Sequence, residues 1–195
     1  MIVNGPSLLI AKPIKGMLDG KYREHGVSHG LTEAGYDIRL KQDIRFYPPN
    51  TKELWRVFSK NNFGDHISSL DLDRMQKAHL GYTTITHPDG TEHTNIGRFL
   101  LASAVEEFHM PKNLTGVVHD KSTWARCGNS VFNTVIEPGW NGFLTLEIVH
   151  HGNEPVHLPA GAGVAQILFS QMKVLGSYEG KYQNQPDEPV KALAS

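Results

Sequence analysis

Cysteine is nearly missing from this chain. Cys127 is the single one in 195 residues. An intrachain disulfide is therefore impossible, which fits a reducing compartment and makes a cytoplasmic location the expectation. Net charge is nearly missing too. Nineteen Lys and Arg face twenty Asp and Glu, leaving a formal charge of -1. Without a broad basic field, no nucleic-acid partner is expected. No apolar run approaches the roughly 18 residues of a membrane span, so no membrane partner is expected either. The opening MIVNGPSLLIAKPIKG has no basic start and no small-residue cleavage site, and reads as mature sequence. Internal repeats and low-complexity stretches are absent. A chain of this length is expected to form one domain around one core.

What is present is mostly strand signal. Tyr36 to Leu40 alternates apolar and polar residues, and Ile44 to Tyr47 repeats the pattern before Pro48-Pro49 stops it. From Arg98 onward such runs crowd together. Phe99 to Val105, Leu114 to His119, Val131 to Ile136, Phe143 to Val149, Val156 to Leu158 and Val164 to Phe169 are separated by Gly, Pro and Asn turns. Strands every 8–12 residues or so predict a β-sandwich, jelly roll or barrel. Pro6 to Leu18 reads as a short helix or helical turn that Pro13 would break. Gly20 to Gly30 is polar and turn-rich, and reads as loop. Thr51 to Asn95 reads as an elaboration on the core. Within it Leu54, Val57 and Phe58 could line one face of a short helix. His87-Pro88-Asp89-Gly90 predicts a hairpin between Tyr82 to Ile85 and Glu92 to Ile96. The expected organisation is one β domain over residues 1–175, with 51–95 as its elaboration, and a polar tail over 176–195. That tail cannot pack a core of its own, so it is either disordered or folded over something else.

Chemistry concentrates between Asp120 and Glu147. Lys121, Ser122 and Thr123 offer an ammonium and two hydroxyls, and if Ser122 to Cys127 is a helical turn, Arg126 shares a face with Ser122. The cluster suits either a phosphate group or the capped start of a short helix. Glu147 stands alone in the apolar run Phe143 to Val149. On a strand, Thr145, Glu147 and Val149 share a face. Turned inward, Glu147 would be buried, its pKa raised, and it would be fit for proton transfer near neutral pH. Turned outward, it would be an ordinary exposed carboxylate. Asp37 has the same two readings, and the local sequence favours exposure. His150 and His151 would point to opposite faces of a strand and cannot chelate together. His25 and His29 have helical metal spacing in a stretch too rich in glycine for a helix, so they read as solvated loop and no metal ligand is assigned. Gly161-Ala162-Gly163 reads as a tight turn.

Five blocks in order carry a resemblance to a known family. They are Ala34-Gly35-Tyr36-Asp37-Ile38-Arg39-Leu40, Lys121-Ser122-Thr123-Trp124-Ala125-Arg126-Cys127-Gly128, Ile136-Glu137-Pro138-Gly139-Trp140-Asn141-Gly142 with Leu146-Glu147, Gly163-Val164-Ala165-Gln166-Ile167, and Gly180-Lys181-Tyr182-Gln183-Asn184-Gln185. The chain resembles the trimeric dCTP deaminase / dUTPase superfamily, and its deaminase branch more closely. The resemblance implies a mainly β fold, a distorted β jelly roll or β-barrel of the dUTPase-like type with short peripheral helices. It implies a homotrimer with active sites between subunits, acting on dCTP or another pyrimidine deoxynucleoside triphosphate. Mg²⁺ would arrive on the substrate triphosphate, not in a protein cage. Zinc is not implied: zinc nucleobase deaminases need two or three cysteines, and this chain has one. By position, Glu147 resembles the catalytic carboxylate, and Ser122 and Arg126 resemble the residues that orient water and base. Lys121 and Thr123 resemble phosphate ligands, and Tyr178, Lys181 and Gln185 resemble a C-terminal lid.

The chain departs from the family pattern in three places. Asp120 replaces a usual Gly, Thr123 and Trp124 replace Ser and Leu, and Asn129 to Val135 is shorter than the family's base-reading loop. Three functions compete. The first is a dCTP deaminase giving dUTP and ammonia. The second is a dUTPase, or a bifunctional enzyme running on to dUMP and pyrophosphate. Asn129 to Ile136 lacks the acid a dUTPase places there, leaving Glu137 at the hairpin's end as the stand-in and as a substrate-binding candidate. The third is a non-enzymatic nucleotide-binding trimer, which would have little use for a buried Glu147.

Overall fold

A computed structural model describes residues 1–60 and 68–194, except for the side chains of Phe58 and Lys60. The expected place of Phe58 on a helix face, and part of the 51–95 elaboration, lie outside the described residues. The chain opens with β1 (Ile2–Val3) and α1 (Gly5–Ala11). Pro6 begins the helix where its missing N–H costs nothing, and Lys12 ends it in the left-handed region at φ 48°. Pro13 then prevents continuation, as the sequence predicts. Next come β2 (Lys21–Glu24) and β3 (Val27–Leu31), a hairpin where loop is expected. Its two-residue turn is His25-Gly26, both with positive φ (51° and 77°), the geometry that matches the twist of antiparallel strands. Every residue of β2 is exposed. That edge has no apolar alternation to announce it.

β4 (Tyr36–Arg39) and β5 (Asp43–Tyr47) follow, then α2 (Thr51–Lys60) and α3 (Ser69–Leu80). Ser68 caps α3, its hydroxyl accepting the Asp71 N–H at 3.2 Å, and Gly81 closes it at φ 74°. β6 (Tyr82–Thr86) and β7 (Glu92–Ile96) form the hairpin read from Pro88-Asp89-Gly90. The remaining elements are β8 (Phe99–His109), β9 (Leu114–Asp120), α4 (Ser122–Ala125), β10 (Asn129–Val131), β11 (Val135–Ile136), β12 (Asn141–His150), β13 (Val156–Leu158) and β14 (Gly163–Gln171).

The fold is mainly β, with few and short helices. One sheet has seven strands, in the order β11-β9-β14-β4-β3-β2 with β1 also on β14. A second holds β10-β12-β8, and a third β13-β5-β6-β7. None of these described sheets closes into a barrel. The expected single strand over Val131 to Ile136 is in fact two. β10 pairs with β12, whereas β11 crosses to pair with β9. The sheets enclose one apolar core in which Tyr36, Phe46, Phe108 and Phe169 are fully buried. Each such side chain contributes roughly 1.5–3 kcal/mol.

β4 and β14 run through the middle of the large sheet, and β4 is covered on both faces. Tyr36, Asp37 and Ile38 are all buried, so alternation fails there as a guide. Close packing also explains two glycines. A Cβ on Gly163 would lie 1.9 Å from the Ser28 carbonyl oxygen, and one on Gly35 would lie 2.0 Å from that of Ile167. Gly163→Ala must push two strands apart. It is expected to cost about 3 kcal/mol and to lower the melting temperature by roughly 10 °C, measured by thermal unfolding. An unchanged melting temperature would contradict this packing.

Candidate active site

β12 explains where Glu147 points. Gly142, Leu144, Leu146, Ile148 and His150 face the core, and Phe143, Thr145, Glu147 and Val149 take the opposite, partly covered face. That face meets a pocket of about 450 Å³, whose walls include Phe99, Leu101, Thr134, Trp140, Thr145 and Glu147. The Glu147 Oε2 atom is buried and, among the described residues, has no hydrogen-bond partner. Burial raises the Glu147 pKa above the ordinary carboxylate range, opposed only by a backbone hydrogen bond of the residue itself. The carboxyl is thus poised to hold or exchange a proton beside a half-open, largely apolar cleft.

The tail supplies the roof, and it is ordered along its described length. Tyr178, Tyr182, Gln185, Val190 and Ala192 all line the same pocket. The Trp140 indole donates to the Tyr182 carbonyl at 2.6 Å. The Phe143 N–H donates to the Gln185 carbonyl at 3.2 Å, and the Val190 N–H to the Thr145 hydroxyl at 2.9 Å. Lys41 pairs with Asp187 at 2.5 Å. Of the expected lid residues, Tyr178 and Gln185 therefore sit on the Glu147 pocket. Lys181 stays exposed, its ammonium donating to the Leu193 carbonyl at 2.5 Å. Glu137 is exposed and lies on the pocket wall.

Ser122, Thr123 and Arg126 lie outside that lining. They sit on α4 and its end, and all three are exposed. Within one chain the structure does not bring them into the pocket with Glu147. The turn itself is firmly rooted. The Trp124 indole donates to the Gly163 carbonyl at 2.7 Å, and the Asp120 carboxylate accepts the Val131 N–H at 2.7 Å. The acid that replaces the family's Gly is thus used to tie β9 to β10. Neither Ser122 nor Thr123 caps α4. Lys121 occupies the cap position without a side-chain capping bond, so the capping reading is corrected. The Lys121 ammonium turns inward to Asp37 and to the Ser28 hydroxyl.

Two histidine and carboxylate readings also change. Asp37, which local sequence places in solvent, is buried at 1 % exposure because its strand is covered on both faces. His29 lies buried in β3, not in a solvated loop, and burial lowers its pKa. His25 is exposed at the hairpin turn. His150 and His151 diverge as expected. His150 is buried, donates from Nε2 to the Glu154 carbonyl at 2.9 Å and meets the Asn129 amide oxygen at 3.1 Å, whereas His151 is exposed. Among the described residues, no three His, Cys, Asp or Glu side chains gather into a metal cluster. No helix there is long and apolar enough to cross a membrane.

Sequence reading missed the pocket's apolar wall and the far end of the tail. Trp140 could have been found, since it follows the Glu137-Pro138-Gly139 turn that leads into β12. Val190 and Ala192 carry no local signal, because they lie in an irregular tail and are placed by contacts with β12 and its surroundings.

The family model and the similar sequences name the same family. Residues 19–172 match a family model described as dCTP deaminase-like. A dCTP deaminase of Herpetosiphon aurantiacus is 34% identical over 177 residues, covering 88% of this chain and 86% of that protein. A dCTP deaminase of Sulfurovum sp. is 32% identical over 174 residues, covering 86% of this chain and 81% of that protein. Among solved structures, the 2'-deoxycytidine 5'-triphosphate deaminase of Agrobacterium tumefaciens aligns at TM-score 0.48 and 16% identity, over 88% of this chain and 47% of that one. With a matched model spanning most of its length and relatives above 30% identity, this chain belongs to the dCTP deaminase-like family.

Proposed function

We propose that this protein is a dCTP deaminase, converting dCTP and water to dUTP and ammonia without zinc. The observation that carries the reading is the Glu147 carboxyl, with Oε2 buried on the wall of the pocket and, among the described residues, without a hydrogen-bond partner. Glu147 takes a proton from water as the water oxygen bonds to C4 of cytosine. It then passes the proton toward the exocyclic amine, the C4–N bond breaks, and ammonia leaves. Ser122 and Arg126 orient the water and base and stabilise the charge that develops. Since they are exposed and lie off the Glu147 pocket of their own chain, this reading needs a neighbouring subunit of a homotrimer to present them to it. Thr123, Lys181, Tyr178 and Gln185 hold the triphosphate, with the tail as the lid. The groups that α4 and its end present are the hydroxyls of Ser122 and Thr123 and the Arg126 guanidinium. This suits Mg²⁺ that arrives on phosphate oxygens, where it would offset their charge. A single cysteine fits work in the reducing cytoplasm.

A second reading, that hydrolysis runs on to dUMP and pyrophosphate, rests on Glu137, the other carboxylate on the pocket wall. Incubation with dCTP, dUTP, CTP and 5-substituted dCTPs, with ammonia and pyrophosphate assayed separately, tests both readings. Ammonia alone from dCTP supports deamination, ammonia with pyrophosphate the bifunctional enzyme, and neither product refutes both.

Three outcomes follow from the geometry. Glu147→Gln should lower ammonia release by about 10³-fold or more while dCTP binding stays within a few-fold, as measured by single-turnover kinetics and calorimetric titration. The reaction needs ionised Glu147, and burial raises its pKa. The acid limb of kcat/KM in the wild-type enzyme should therefore rise with pH through a value above the usual ~4.3 of a glutamate. A limb at or below that value removes Glu147 as the base. Truncation after Gly176 should raise KM for dCTP by about tenfold, on the scale of one lost charge-assisted hydrogen bond, with the β-sheet circular dichroism retained. An unchanged KM removes the lid.

A further inference from the structure

Ser122, Thr123 and Arg126 are presented on a helical turn of four residues, too short to hold its own shape. Something beneath must fix it. The Lys121 side chain is only 11% exposed and that of Asp37 2%. The Lys121 ammonium donates to the Asp37 carboxylate and, at 3.0 Å, to the Ser28 hydroxyl. Ser28 in turn donates to Asp37 Oδ2 at 3.1 Å, and the Gln166 amide donates to Oδ1 at 3.2 Å. Both carboxylate oxygens are thereby occupied. Asp37 stands on β4, Ser28 on β3 and Gln166 on β14, three adjacent strands of the large sheet. The Trp124 indole reaches the same place through the Gly163 carbonyl. The Lys121 carbonyl accepts the N–H groups of Trp124 and Ala125, so the residue that sinks into the sheet also begins the turn.

We propose that Asp37 and Lys121 form a positioning pair. In this account Lys121 is the root that aims Ser122 and Arg126, and it does not contact the phosphates. The inference rests on the deaminase reading above and sharpens it. A free ammonium would be the natural phosphate ligand at this position, where the family resemblance puts one. Here its charge is already matched by a buried carboxylate, and moving it out would strand Asp37 unpaired in the sheet. The exposed groups left for the substrate are the hydroxyls of Ser122 and Thr123 and the Arg126 guanidinium. Misplacing such groups by about 1 Å can cost on the order of 10²-fold in rate.

The test compares Lys121→Met, Asp37→Asn and the double variant, in which both charges are gone and neither is left buried alone. Steady-state deamination of dCTP and amide hydrogen exchange across Trp124 to Gly128 are measured for each. A positioning pair predicts kcat lower by about tenfold to a hundredfold in Lys121→Met, with KM moved by less than about threefold. It also predicts a double variant no worse than either single one, since the two residues act as a unit. A KM raised tenfold with kcat kept in Lys121→Met makes Lys121 a phosphate contact and overturns the proposal, and so does an unchanged kcat. Should Asp37→Asn fail to fold, Lys121→Met and the double variant still decide the matter. Absence of ammonia from the wild-type protein would sink the deaminase reading alone. In that case, faster exchange at Trp124 to Gly128 in Lys121→Met supports the pair, and unchanged exchange overturns it.

Discussion

Alternation along β12 is the constraint on which the site depends. Leu144, Leu146 and Ile148 are committed to the core, and β8 and β10 hold the strand on either side. With that register set, Glu147 has no choice of face. A slip by one residue would drive its carboxylate into the core and expose two leucines and an isoleucine. The apolar neighbours of Glu147 in sequence are therefore the reason a carboxylate can be held at the edge of burial without being drawn further in.

The tail completes the enclosure from the other side. Its Tyr178 ring packs against the margin of the core. It is also held by polar contacts to β12 and its approach: Trp140, Asn141, Phe143 and Thr145 each bond to it. The hydrogen bonds of this cover can be exchanged for water at small net cost. Segments of that kind are suited to opening and closing over a ligand.

Much of this was legible in the sequence. The strands after Arg98, the Pro88-Asp89-Gly90 hairpin and the halt of α1 at Pro13 follow from turn chemistry and periodicity, which are local. Asp37 was not legible, because β4 is buried on both faces and period two carries no information there. β2 was not legible, because an exposed edge strand needs no apolar residues. Its turn was hidden in His25, a residue that seldom takes positive φ. α3 could have been read from Ser68, Asp71 and Gly81, its cap and stop. The wall and roof of the pocket were out of reach, since Phe99, Thr134 and Val190 meet only through the fold. The division of labour at α4 was hidden for the same reason: sequence puts Lys121 beside Ser122, but only the sheet decides which of them looks outward.

The hand-over between β10 and β11 has a consequence of its own. Asn129 to Val131 is fixed by one sheet and Val135 to Ile136 by another, leaving Phe132, Asn133 and Thr134 as the only span between them. The Phe132 N–H still bonds to the Glu147 carbonyl, and the Thr134 carbonyl to the Val118 N–H. A three-residue bridge bonded at both ends cannot shift without releasing a rung at one end. Change in this span is then confined to the side chains of three positions, of which Thr134 faces the Glu147 pocket, and the backbone of β12 stays in register while they change.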